Sequence, residues 1–529
     1  GLPFAEFRLT AGEFGYRKPQ IKLGGGGSGK LNYLLNISDT SIDGYRDHSE
    51  FENTQMNARI DYSLSDSSSL LTTIHHTDQP VANDPGGINA ADLEANPEQA
   101  FSRNLSFDAG ESLKQTRIGM LYKTKISEGR ELQARVYHTQ KDFKGKLPLV
   151  SFPGPDGVGD AGTIFLDRNF LGGGIKYIIE NELGSKQNRL LVGFDYDNQD
   201  DDRRRFDNLS GSIGLPRLDQ NELVTSIGTF IQNETKLSED LELTLGLRYD
   251  NVEFDVSDAF LSDGDDTGKI KFTETSPSIG LRFKQSNNTH LYTSISKSFE
   301  TPTTTEFANP NGGGFNQALD SQKATNYEIG IKTHTNDYRF EAALFHIDIK
   351  DELTPFELAN DETTYYTNAG STKRDGVELS YTRQLTQQFV LATSYTYSDF
   401  VYEKYTNENG DVLDGKKAPG IPDHQLHLDL SWYGESGLYT TLNNTYTSAL
   451  FADNANETEV ESYVVSDLRV GYNGFYKGWD VESFIGVNNL LDESYNSNIR
   501  INAFGQRYFE AAPERNLIVG ITVRMMLSE

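Results

Sequence analysis

The sequence contains no cysteine, so it has no disulfide framework, no thiolate metal site and no thiol nucleophile. That absence is compatible with an oxidising envelope compartment. No run of about 18 apolar residues occurs, which excludes a transmembrane helix but not a membrane barrel, whose strands are only half apolar. Basic residues are scarce: 48 Lys and Arg face 78 Asp and Glu, for a net charge of −30. Such acidity argues against a nucleic-acid partner, whose phosphates need a basic surface. A secretory signal is also missing. Gly1-Leu2-Pro3-Phe4 opens inside a strand pattern, so the expected N-terminus is either trimmed or cut from an upstream segment.

Against these absences stand 27 Tyr and 30 Phe beside only 2 Trp, the aromatic supply that interfacial girdles require. The 529 residues fit either a few soluble domains or one large barrel. Periodicity favours the barrel. Leu517, Val519, Ile521, Val523 and Met525 share one face of the last strand, while Ile518, Gly520, Thr522 and Arg524 share the other. The same period of two separates Leu241, Leu243, Leu245, Leu247 and Tyr249 from Glu242, Thr244, Gly246, Arg248 and Asp250. One face suits hydrocarbon and the other a hydrated lumen.

Short turn signals recur at 24–29, 65–68, 128–130, 183–185, 238–240, 286–288, 335–336, 386–387, 434–437 and 474–477. Most lie about fifty residues apart, room for two strands and a long connection. The glycine run at 24–29 resembles an engineered linker, yet it falls where a turn is due and reads as a native one. Longer polar stretches alternate with these turns at 78–112, 145–162, 198–221, 257–268, 300–323, 351–363, 403–423 and 493–512. The pattern predicts an all-β fold: a 22-stranded antiparallel transmembrane β-barrel with short periplasmic turns and long extracellular loops. A β-propeller or solenoid does not explain the strict alternation of short and long connections.

Four segments carry a family resemblance. They are Ser298-Phe299-Glu300-Thr301-Pro302-Thr303 with Glu306-Phe307, then Asn326-Tyr327-Glu328-Ile329-Gly330-Ile331-Lys332. Asn368-Ala369-Gly370 with Arg374-Asp375-Gly376-Val377-Glu378-Leu379 follows, and Val487-Asn488-Asn489-Leu490-Leu491-Asp492 with Tyr495 is the last. In this order the chain resembles the barrel of TonB-dependent outer-membrane receptors, nearly end to end. Asp43–Ser49, Asp78-Gln79-Pro80, Asp84-Pro85 and Gly505–Glu510 before Pro513 are similar to a ferric-siderophore and YncD-like branch. The resemblance implies residence in the bacterial outer membrane, among lipid and lipopolysaccharide, and import of a scarce solute rather than enzymatic turnover. It implies a ferric siderophore first, pyrroloquinoline quinone or another cofactor second, with no resident cofactor. It also implies a TonB-ExbB-ExbD complex acting through a plug domain upstream of residues 1–529, and phage or other proteins at the loops. The chain departs from the family pattern in showing no plug, which leaves a plugless passive pore or an assembly or adhesion component as the other class. It departs again at its end, where Met525 replaces the family's terminal aromatic and Met526-Leu527-Ser528-Glu529 follow.

Candidate ligand contacts are few. Asp200-Asp201-Asp202-Arg203-Arg204-Arg205-Phe206 is the densest charge run. Its guanidinium forks match carboxylates of a chelate or a quinone tricarboxylate, unless the run neutralises itself in solvent. His75 and His76 are placed at a strand end, and their adjacency lets at most one face the lumen. Arg500, Arg507 and Tyr508 in the last connection either line the vestibule or pack a neighbouring loop. Asp195, Asp197, Asp200 and Asp201, like Asp263, Asp265 and Asp266, lack the glycine and distal glutamate of a calcium loop. No Ser, His and acid occur at the spacing of a hydrolase motif.

Overall fold

The computed structural model describes residues 2–27, 29–148, 162–262, 264–309, 316–358, 361–368, 370–407 and 410–527. The side chains of 356–364 are outside that description. Twenty-two antiparallel strands form one closed sheet. In chain order, β1 to β8 are Phe4–Gly12, Arg17–Gly25, Leu31–Ile42, Phe51–Ser65, Ser68–Asn83, Gly110–Ser127, Arg130–Leu147 and Gly162–Leu183. β9 to β15 are Lys186–Leu209, Ser212–Lys236, Leu241–Asp258, Gly268–Lys284, Thr289–Glu300, Gln322–His334 and Tyr338–Lys350. β16 to β22 are Ser371–Gln384, Phe389–Lys404, His424–Tyr433, Leu438–Thr447, Tyr463–Tyr476, Trp479–Asn488 and Asn516–Met526. No helix among the described residues is long and apolar enough to cross a membrane.

Pairing of β1 with β22, from Phe4 opposite Met526 to Gly12 opposite Ile518, closes the ring. A closed ring leaves no unpaired edge in lipid, where each unmade backbone hydrogen bond costs several kcal/mol, about the penalty of burying an amide unpaired. Because side chains alternate, register fixes which residues face in. Glu6 lies opposite Lys22 and Arg524, Arg248 opposite Phe230 and Ser276, and Glu328 opposite Ser294 and Phe345. Their neighbours Phe7, Leu247 and Ile329 are exposed on the outside. Slipping any strand by one residue would reverse this sorting and place charge in hydrocarbon.

All ten expected short turns join consecutive strands at one rim. Ser28, within the first of them, lies outside the described residues. At the other rim the stretch 198–221, expected as a loop, is strand instead. β9 and β10 are 24 and 25 residues long, and only Ser210 and Gly211 separate them. Beyond the apolar zone both faces of a strand meet water, so its hydropathy alternation disappears while its ladder continues. His75 and His76 need the same correction, since β5 runs on to Asn83 and leaves them mid-strand. The rim connections 43–50 and 448–462 were not marked by the sequence pattern. Part of the 145–162 connection, Ala369 in the third family-like segment, and Ser528 and Glu529 lie outside the described residues.

Candidate functional site

The rim connections pack on the barrel wall and on one another through buried aromatics. Phe254 and Phe272 face inward from the outer ends of β11 and β12. Between them the 301–321 connection inserts Phe307, which is 1% exposed, with ring centroids 5.3 Å from Phe254 and 6.2 Å from Phe272. Leu319 completes this core, and Leu353 and Tyr366 of the next connection pack against it. Arg203 ties the same connection to the wall. Its Nη1 donates to Glu222 Oε1 at 3.2 Å and to Thr305 Oγ1 at 3.1 Å, and both charged partners are buried.

The three consecutive arginines do not converge. Arg203 and Arg205 share the inward face, whereas Arg204 points outward and donates to Asp167 Oδ2 at 2.8 Å. Asp201, fully buried, accepts two hydrogen bonds from Arg168 at 2.7 and 2.6 Å. The charge run therefore pairs largely with neighbouring strands, which its sequence alone does not specify.

Arg500, Arg507 and Tyr508 join three connections to one another. Ile88 and Phe509 exchange backbone hydrogen bonds at 2.9 and 3.0 Å. Tyr508 is buried beside them with Ala452 and Val460. Burial, then the charge of Asp453, raises the Tyr508 phenol above its usual range. Arg500 donates to Asp84 Oδ1 at 2.7 Å and to Glu510. Burial opposes its charge, but these two carboxylates outweigh burial and hold the guanidinium above its usual value. Arg507 lies 4.3 Å over the Phe101 ring. Nearby Arg46 is buried, donates from Nη2 to Gln99 O at 2.8 Å, and is lowered chiefly by that burial.

Register turns His75 to the lumen, in line with Arg117 and Asn57, and His76 to the outside. His75 Nδ1 is 2.7 Å from Asn57 Oδ1 and His76 Nδ1 is 2.8 Å from Thr116 Oγ1. The wall beyond His75 also carries Arg135 and Tyr137, which sequence motifs did not single out. Arg135 and Arg248 share Asp195, at 2.8 and 3.0 Å, and Arg248 also binds Asp250. Tyr137 donates its hydroxyl to Asp197. Strand parity was the available signal for these groups, because all of them lie on inward positions. Asp195, Asp197 and Asp201 are thus taken up by cations or a phenol. Among the described residues no three His, Asp or Glu gather as a metal site, and Asp263 lies outside them.

A family model described as "TonB dependent receptor-like, beta-barrel" matches residues 5–490. The chain belongs to this family. It is 28% identical over 392 residues to the ferrioxamine B receptor of Salmonella typhimurium, covering 68% of this chain and 52% of that protein. It is 25% identical over 371 residues to a probable TonB-dependent siderophore receptor, PiuA, of Acinetobacter baumannii, covering 65% and 47%. The chain therefore spans about half the length of the curated relatives it matches. Among solved structures, the ferric citrate transporter FecA superposes with a TM-score of 0.82 at 17% identity, covering 99% of this chain and 78% of that one. At that identity the likeness shows the fold: the closed 22-stranded antiparallel barrel.

TonB-dependent receptors are outer-membrane transport proteins rather than enzymes, and the family places this barrel in the outer membrane with its apolar band in lipid. The family-like segments lie within strands and at their ends. Ser298-Phe299-Glu300 ends β13, Asn326–Lys332 lies within β14, and Arg374–Leu379 lies within β16. Asn489 and Asp492 turn the chain out of β21 with φ of 50° and 61°. Met525 pairs with Ala5 across the closing seam and with Trp479 of β21 on its other side.

Proposed function

We propose that this barrel is the conducting part of a TonB-energised importer of a ferric chelate, captured by the rim connections and released through the lumen. The observation that carries the reading is the combination of a closed barrel with a polar inner face and rim connections anchored to its wall and to one another. A passive pore needs the first feature but not the second. The siderophore receptors among its relatives, including one for ferrioxamine B, support a chelate as cargo. A barrel of this size is normally plugged, and the greater length of the relatives gives room for a plug segment that TonB would engage. The 28% identity to that receptor leaves the particular chelate open to screening.

The test is iron-limited growth of a receptor-deficient strain carrying the natural full-length protein, supplied in turn with hydroxamate, catecholate and citrate chelates of iron. Growth on one class that disappears when TonB is deleted supports the importer. Uptake that persists without TonB would replace it with a passive pore.

A further inference from the structure

A cavity of about 530 Å³ indents the lumen wall across β5, β6 and β7, lined by Thr73, His75, Gln115, Arg117, Arg135 and Tyr137. Glycine helps to make the room. Gly119 faces the lumen between Thr73 and Tyr137, and a Cβ there would lie 3.1 Å from Thr73 Oγ1. Gly172 faces inward opposite Tyr137, where a Cβ would fall 2.5 Å from the phenol ring. Without that Cβ, Tyr137 lies along the wall, stacked on Phe170 at 5.9 Å and 12° and fixed through its hydroxyl to Asp197. Over the Tyr137 ring, 4.7 Å from its centroid, sits the Arg117 guanidinium.

The Arg117 side chain is exposed to the lumen. No carboxylate comes within 4.0 Å of it among the described residues, although Arg135 beside it shares Asp195 with Arg248. A guanidinium held over a ring still has N–H groups to offer a ligand, and two parallel donors match the two oxygens of a carboxylate. Gln115 adds a side-chain amide, and His75 adds a ring nitrogen next to it.

We propose that this lumen-wall cavity is a carboxylate subsite, with Arg117 as the charge that binds and His75 and Gln115 as flanking polar groups. The carboxylate belongs either to a solute passing through the lumen or to a polypeptide segment filling it. The subsite does not depend on the import reading, because it is a binding property of the barrel wall.

Citrate is the probe, titrated calorimetrically into the chain in detergent micelles, with choline as the cationic control. Citrate binding is expected to weaken about tenfold or more in Arg117→Gln, the loss typical of a removed charge-assisted pair. Arg117→Lys should recover part of it by charge without the fork. Arg469→Gln, which removes an arginine stacked on Phe484 on another wall, should leave binding unchanged. The same titration on protein isolated from its native membrane distinguishes the two sources. Binding retained there assigns the subsite to a solute. Binding lost there, with Arg117→Cys protected from a maleimide, assigns it to a lumen-filling segment. Absence of citrate binding, or equal weakening in Arg117→Gln and Arg469→Gln, would overturn the proposal.

Discussion

Arg203 and Phe307 show how single residues hold the rim. Glu222 is 1% exposed and takes a direct ion pair from Arg203. Arg203→Met should therefore cost about 3–5 kcal/mol locally, the usual penalty for stranding a buried charge. The expected readout is faster hydrogen exchange at the outer ends of β9 and β10 and in the connection bearing Thr305. Phe307→Ala removes a ring packed against Phe254 and Phe272, a change that costs about 3–5 kcal/mol in a packed core. Limited proteolysis should then cut the 301–321 connection sooner while the strands stay protected; unchanged cleavage would show that the ring does not anchor it.

At the scale of elements, the two faces of β11 predict opposite tolerances. Leu245→Arg places a cation in the lipid band and should destabilise by about 2–4 kcal/mol, as measured for basic residues near a bilayer midplane. Thr244→Arg, one residue away on the lumen face, should cost little. Urea unfolding from lipid vesicles compares them, and equal losses would contradict the assigned register. The seam offers a second check. Arg8 Nε donates to Thr522 Oγ1 at 2.9 Å, and the chain has no native cysteine. Arg8→Cys with Thr522→Cys should form a disulfide that holds β1 to β22, seen as altered gel mobility of the boiled, unreduced chain and abolished by reductant.

For the whole molecule, the apolar outer band predicts that the folded chain stays dispersed only in detergent or lipid. Like other barrels of this kind it should run faster on a denaturing gel unheated than boiled; a detergent-free soluble monomer would refute the membrane assignment. The net charge of −30 is concentrated where it meets water. The connection 448–462 carries Asp453, Glu457, Glu459 and Glu461 with no Lys or Arg, and 84–109 carries Asp84, Asp92, Glu94, Glu98 and Asp108 against Arg103 alone. Acid at the rim keeps charge out of the lipid band, where it would be expensive.

Much of this architecture is a local property of the sequence. Period-two alternation, turn residues and connection length fix strand number, facing and topology, because each depends on residues close together in the chain. His75 and His76 illustrate the point, since adjacency alone required them to face opposite sides. The length of β9 and β10 was not legible, because water on both faces erases the alternation. Nor were the contacts of Arg203 with Thr305, Arg500 with Asp84 and Arg507 with Phe101, which join distant connections and form only in the folded barrel. Asp84 and Arg500 are 416 residues apart, and Glu6 and Arg524 are 518 apart. Local pattern determined the barrel; only the tertiary fold, which sets strands and distant connections side by side, brought together the side chains that shape its mouth and its lumen.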